Sequence, residues 1–214
     1  MTRFLRDLKE QRWDDHRYYH HSRINQSLHL LSAVTFVVAY GVAFKDPAAA
    51  ALLGWLIAMT SRQIGHLVFE PKGYDNVNQA THDYKEAIKV GYNLKRKIVL
   101  MAVWALSPLL FVFDPTLHGL CAAPASALAF AHHVGMLWLV IGVGSLLFRM
   151  AQLLAARDLR TALVWATKIL TDPFHDIGLY YRAPASLFGR RRASTDAEDF
   201  QACHQHLTEH LASQ

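Results

Sequence analysis

Apolar and polar positions fall in long blocks along this chain. Four apolar runs stand out, at roughly 28–44, 48–69, 98–113 and 126–147. Each approaches or reaches the ~17–25 residues a helix needs to cross a bilayer, so each predicts a span. The first and third are short, and Pro108 predicts a kink in the third. Lys45-Asp46-Pro47 is a tight turn, which makes the first two spans an antiparallel hairpin. Between the runs the pattern changes. Residues 1–17 set Arg3, Arg6, Lys9, Arg12 and Arg17 among acids, and predict an amphipathic helix on a membrane surface. Pro71 and Gly73 end the second span, and residues 81–97 look helical again. An amphipathic segment at 157–170 is followed by a proline-containing stretch with Tyr180 and Tyr181. The predicted fold is all-α: a polytopic membrane helical bundle of about four transmembrane helices with amphipathic interfacial helices. One membrane-embedded domain spans 1–189, and Arg190-Arg191-Arg192 opens a polar tail at 190–214. The chain shows no internal repeat. A buried helical bundle in a soluble protein is the alternative for the same runs.

Composition supports the membrane reading, with 52% hydrophobic and 18% charged residues. The net charge of +5 suits nucleic acid or anionic lipid, and its placement selects lipid. Lys and Arg crowd the first 17 residues, the 71–97 connection and everything after Arg149, whereas the 114–124 connection has none. The positive-inside rule then puts both termini and the 71–97 connection in the cytoplasm. Nothing at the N-terminus has the apolar core of a signal peptide. Cys121 and Cys203 alone provide neither a disulfide framework nor a thiolate metal motif.

Two polar clusters sit where spans begin and end. The first is Tyr18-Tyr19-His20-His21, with Asn25 and His29 following; in a helix His21, Asn25 and His29 fall on one face. The second is Arg62-Gln63-Ile64-Gly65-His66 through Glu70, with His66 and Glu70 four apart. Gly65 removes a side chain where something can approach the backbone closely. Tyr and His at a span's mouth also make an interfacial belt. The charge asymmetry, however, places both clusters at the same membrane face, and ionisable groups within spans usually mark a site. A His/Glu turn facing a His/Asn/His turn supplies the ligand set of a non-haem iron centre.

Tyr-His-His, three residues, Asn, three residues and His, leading into an apolar run, resembles the membrane 2-hydroxy fatty acid dioxygenase family. Gly65-His66-Leu67-Val68-Phe69-Glu70 is similar to that family's second motif, Gly-His-x-x-Phe-Glu. The likeness covers roughly residues 18–76. It implies an iron(II)-dependent dioxygenase that shortens 2-hydroxy fatty acids by one carbon, with Fe(2+) held by His20, His21, His29, His66 and Glu70. Tyr19 and Asn25 take roles at the site by the same resemblance. Arg62 stands where the family has Gln, and Pro71-Lys72-Gly73-Tyr74 replaces its Lys-Arg-x-Pro-Ala-Leu, while Asp75-Asn76 matches. Arg62 or Arg23 would suit a substrate carboxylate, though headgroup snorkelling suits them as well. The expected partners are a lipid or fatty-acid substrate and the membrane; a homo-oligomer is compatible with the sequence.

Other histidines matter less. His118, His132 and His133 fall on the opposite face, while His82 and His175 share the cytoplasmic side and would extend the centre. His16 with His20 and His21 also fits the HxxxHH box of di-iron membrane hydroxylases and desaturases, but the chain lacks that class's further HxxHH boxes. A non-catalytic lipid-binding scaffold is the third reading, and it predicts no bound metal.

Overall fold

The computed structural model describes residues 2–70, 73–76 and 78–188, and the tail expected at 190–214 lies outside them. Every regular element among the described residues is a helix: α1 (Arg3–Tyr19), α2 (Arg23–Ala43), α3 (Pro47–Leu53), α4 (Thr60–Val68), α5 (His82–Ile88), α6 (Leu94–Leu106), α7 (Leu109–Phe113), α8 (Ala127–Ala156), α9 (Leu159–Tyr180) and α10 (Ala183–Phe188). The fold is all-α, as the apolar blocks predict.

Each long helix starts on a side chain that accepts a backbone N–H otherwise left without a partner. Ser22 caps α2, Asp46 caps α3 ahead of Pro47, Ser126 caps α8 and Asp158 caps α9. Three helices are long and apolar enough to cross a membrane: Arg23–Ala43, Leu94–Phe113 and Ala127–Ala156. Their outward faces carry Val34, Val38, Val99, Val103, Val140 and Leu147, all exposed. Such faces suit a membrane.

The expected fourth span, at 48–69, is helical but not one α-helix. A π-helical segment, Gly54–Met59, joins α3 to α4. In the wider turn the Trp55 carbonyl accepts from both the backbone N–H and the hydroxyl of Thr60, the latter at 2.9 Å. The turn also points Trp55 towards α8, where its indole N–H donates to the Trp138 carbonyl at 2.9 Å. Trp104 of α6 stacks on Trp55 at 5.4 Å between ring centroids, and Ala51, Phe111 and Val134 complete this core. At Gly135 a side chain would meet the Ala48 backbone oxygen at 2.5 Å, so its absence lets α8 approach α3. Pro108 separates α6 from α7, as its position predicts.

One expectation changes at an edge. Pro173 does not end the amphipathic segment; α9 continues through it to Tyr180. An internal proline costs a helix ~3 kcal/mol, and here tertiary contacts offset it, since α9 buries Trp165, Lys168, Asp172, Asp176 and Tyr180. The helix α1, expected at 1–17, packs on the bundle. It lies along α9, tied by Arg12 to Asp172 at 3.1 Å, Arg160 to Asp7 at 3.0 Å, and Lys168 to Asp15. The connection after α4 folds back over the end of α1. Asp75 and Ala80 exchange backbone hydrogen bonds, Asn78 donates to the Arg17 carbonyl at 2.9 Å, and Tyr19 donates its hydroxyl to the Lys85 carbonyl at 2.7 Å.

Candidate metal centre

The corner between α1 and α2 builds the first part of the site. α1 stops at Tyr19, and His20 leaves the helix with φ −111° and ψ 49°. Ser22 then restarts the chain as α2. The carbonyls at the end of α1 have no helical partner, and α2 supplies two. Asn25 Nδ2 donates to the Tyr19 carbonyl at 2.8 Å, and Gln26 Nε2 to the His20 carbonyl at 3.0 Å. The spacing from Tyr19 to Asn25 to His29 is therefore a folded clamp with a histidine one turn beyond it.

α4 closes the site from the other side. A β-carbon at Gly65 would overlap Asn25 Oδ1 and lie 3.1 Å from His29 Cε1. What approaches Gly65 closely is α2 itself, and that approach seats His66 against His29. The two Nε2 atoms are 3.4 Å apart, and the His20 ring lies 3.9 Å from His29 and 5.5 Å from His66 between centroids. The ligand atoms of His20, His29 and His66 all lie within 4.8 Å of one another, the one such group of three among the described residues. All three rings are buried.

The hydrogen bonds assign the protons. His29 Nδ1 lies 2.9 Å from the Asn25 carbonyl, which only accepts, so Nδ1 carries the proton and Nε2 presents a lone pair. His66 Nδ1 lies 2.7 Å from Glu70 Oε2. Burial raises the Glu70 carboxyl and nearby Lys89, with Nζ 3.9 Å from Oε1, opposes the rise. As a carboxylate Glu70 accepts from Nδ1, which leaves the His66 lone pair on Nε2. His20 Nδ1 and His16 Nδ1 lie 2.6 and 2.9 Å from the Tyr180 hydroxyl. One hydroxyl donates once, so one of the two rings donates to it and the other accepts; with His20 Nδ1 as the donor, His20 Nε2 presents a lone pair. Burial, reinforced by His29 and Arg62, holds His20 well below its ordinary pKa, and burial takes His16 down to about 4, so both rings are neutral. His20 Nε2 is buried without a hydrogen-bond partner.

Three imidazoles thus offer nitrogen donors within 4.8 Å of one another. Two imidazole nitrogens at 3.4 Å with no proton between them repel. They take this separation when both bind one ion at ~2.0–2.1 Å. Each ring is oriented through its other nitrogen, by a backbone carbonyl, a carboxylate or a tyrosine, as metal-binding histidines are. The donor set fits a transition-metal ion.

Two of the sequence-predicted ligands take other positions. His21 is turned away: its Nε2 lies 2.6 Å from the Arg17 carbonyl and 3.5 Å from Asp75 Oδ2. The helix breaks between His20 and Ser22, so His21 does not share the face of Asn25 and His29. Glu70 stands behind His66 on Nδ1 and not among the converging nitrogens. Of the other predicted residues, Tyr19 holds Lys85 and carries Lys89 Nζ 3.5 Å over its ring. Arg62 is engaged by Asp176 at 3.3 Å. His82 and His175 lie outside the group of three.

Sequence reasoning missed Tyr180. Lys168, Asp172, Asp176 and Tyr180 recur every four residues along α9, the same spacing that marks the other two helices. Ending the amphipathic segment at Leu170 cuts the stripe after Lys168. Beside His20 the stripe encloses a polar cavity of about 10 Å3, lined by Arg12, Asp15, Arg62, Lys168, Asp172 and Asp176 among others. That is room for about one water molecule.

No family model matches the chain, and no curated protein or solved structure matches it.

Proposed function

We propose that the protein is an iron(II)-dependent membrane dioxygenase that acts on 2-hydroxy fatty acids, with His20, His29 and His66 holding the ion. The observation that carries this reading is the cluster of three buried imidazoles whose ligand atoms lie within 4.8 Å of one another, with the proton held on Nδ1 in His29 and His66. The choice of iron and substrate rests on the likeness of the two motifs to the 2-hydroxy fatty acid dioxygenases. When bound, ferrous iron supplies dioxygen activation and a Lewis-acid seat for oxygen donors. The chain's own part is to hold three neutral donors still. The Asn25 carbonyl and Glu70 keep His29 and His66 in one tautomer, and Tyr180 orients His20. Neutral imidazoles leave a divalent charge to be balanced, which favours an anionic chelator such as the hydroxyl and carboxylate of a 2-hydroxy acid. A single group of three donors among the described residues favours one ion over the two of a di-iron hydroxylase.

In this reading both termini and the 73–93 connection face the cytoplasm, and the acyl tail stays in the bilayer. The overall reaction breaks the bond between the first and second carbons. The 2-hydroxy acid and O2 become an acid one carbon shorter, carbon dioxide and water. The test is the purified, iron-loaded protein given a 2-hydroxy fatty acid in buffer equilibrated with oxygen. The expected product is the acid one carbon shorter, absent with His66→Ala. Hydroxylation or desaturation of an unhydroxylated chain would transfer the site to the di-iron class. No oxygen uptake with either substrate would leave a scaffold.

A further inference from the structure

A second site lies away from the histidines, between α6 and α8. There the two helices leave a groove of about 530 Å3, walled by Val99 and Val103 on one side and Gly144 and Phe148 on the other. Its volume falls within the roughly 300–1,000 Å3 of ligand clefts. None of α6 is buried, so nothing among the described residues covers that wall. Both walls belong to helices long and apolar enough to cross a membrane. One end of the groove is basic. Lys95 and Arg96 line it, no acidic residue does, and neither cation forms an ion pair among the described residues. From Lys95 to Val103 the groove rises about 12 Å at 1.5 Å per residue, most of one leaflet of a ~30 Å hydrocarbon layer.

We infer that this groove binds one acyl chain of an anionic phospholipid, with the headgroup phosphate on Lys95 and Arg96. A cationic rim without counter-charge among the described residues, above an apolar trough, complements that molecule in both parts, and each cation near a membrane surface favours anionic lipid. The groove does not lead to the histidines. At about 100° per residue, Lys97 lies some 200° around α6 from Lys95, and it is Lys97 that acts on Glu70. The lipid site and the metal site therefore use opposite sides of α6, and neither inference rests on the other.

The test is native mass spectrometry of delipidated protein in detergent, offered equal phosphatidylglycerol and phosphatidylcholine of the same chains. Phosphatidylglycerol is expected to be retained at least fivefold over phosphatidylcholine. Lys95→Gln with Arg96→Gln, both exposed changes, should reduce that ratio to near one. A β-carbon at Gly144 meets nothing within 4 Å, so Gly144→Phe should fill the groove and lower uptake of both lipids while the melting temperature holds. Equal uptake by the native protein overturns the inference, as does undiminished preference in the double variant. Preferential retention of palmitate over phosphatidylglycerol overturns the phospholipid assignment.

Discussion

Gly65→Ala tests how closely α2 and α4 must approach. A methyl group at this position overlaps Asn25 Oδ1 and stands 3.1 Å from His29 Cε1. Asn25 cannot simply swing aside, because it is fully buried and clamps the Tyr19 carbonyl. The helices must part, or the clamp must break. Overpacking of this kind costs typically ~1–3 kcal/mol, against a helical gain of roughly 0.5–1 kcal/mol from replacing glycine. The expected net loss is roughly 0–2.5 kcal/mol, and parting the helices also separates His29 from His66. Metal affinity should fall at least tenfold, the lower end of what losing a supporting partner costs, about 10–100-fold. Gly41→Ala is the control, on an exposed face of α2 where a β-carbon meets nothing within 4 Å. It should stabilise the protein slightly and leave metal untouched. Thermal unfolding in detergent, paired with metal retention against a graded chelator, reads both effects. If the two alanine variants unfold together and hold metal equally, the close approach at Gly65 does not shape the site.

Further outcomes follow from the same geometry. Glu70→Gln should keep the fold and weaken metal binding about 10–100-fold, read by chelator competition; unchanged affinity would remove Glu70 from its place behind His66. Tyr180→Phe takes away the hydroxyl shared by His16 and His20, and should destabilise by about 1–3 kcal/mol in denaturant titrations while also weakening metal. His16 is held neutral in the folded chain, down to about 4 against an ordinary 6.5. The unfolded chain therefore binds the extra proton in this window, and stability is full above pH 6.5 and falls as pH drops towards 4. The slope is up to about 1.4 kcal/mol per pH unit, and His16→Phe should flatten part of it; an unaltered slope would place the acid sensitivity elsewhere. Topology can be read on Cys121, with Cys203 replaced by Ser: a membrane-impermeant maleimide should label it in intact cells, and labelling only after lysis would invert the orientation.

Much of this site was visible in spacing. His29 could be picked out by its place after Asn25, and His66 by its place between Gly65 and Glu70, because a four-residue interval keeps side chains on one helical face. His21 misled for the same reason. The interval assumes a continuous helix, and the chain turns a corner at His20, so two adjacent histidines point to different neighbours. Ser22 was the available warning, as a preferred residue for starting a helix. Glu70 was read as a ligand, since its residue type and interval do not distinguish a group on the metal from one on the far nitrogen of the imidazole. Tyr180 lay behind Pro173, where local propensity argued for a break and long-range packing against α1 and α2 overrode it. The ion pairs of Arg62 with Asp176 and Arg12 with Asp172 join residues over a hundred positions apart, beyond any local pattern. The membrane blocks were the plainest signal. The division of the second run by a π turn was not, because it depends on Trp55 meeting α8.

The central claim is that His20, His29 and His66 hold a metal ion, and the most direct measurement is the metal content of the detergent-purified protein. Plasma mass spectrometry should find one iron per chain, lost in His29→Ala and in His66→Ala while both variants remain folded. Native protein without iron, or alanine variants that keep it in full, would contradict the assignment.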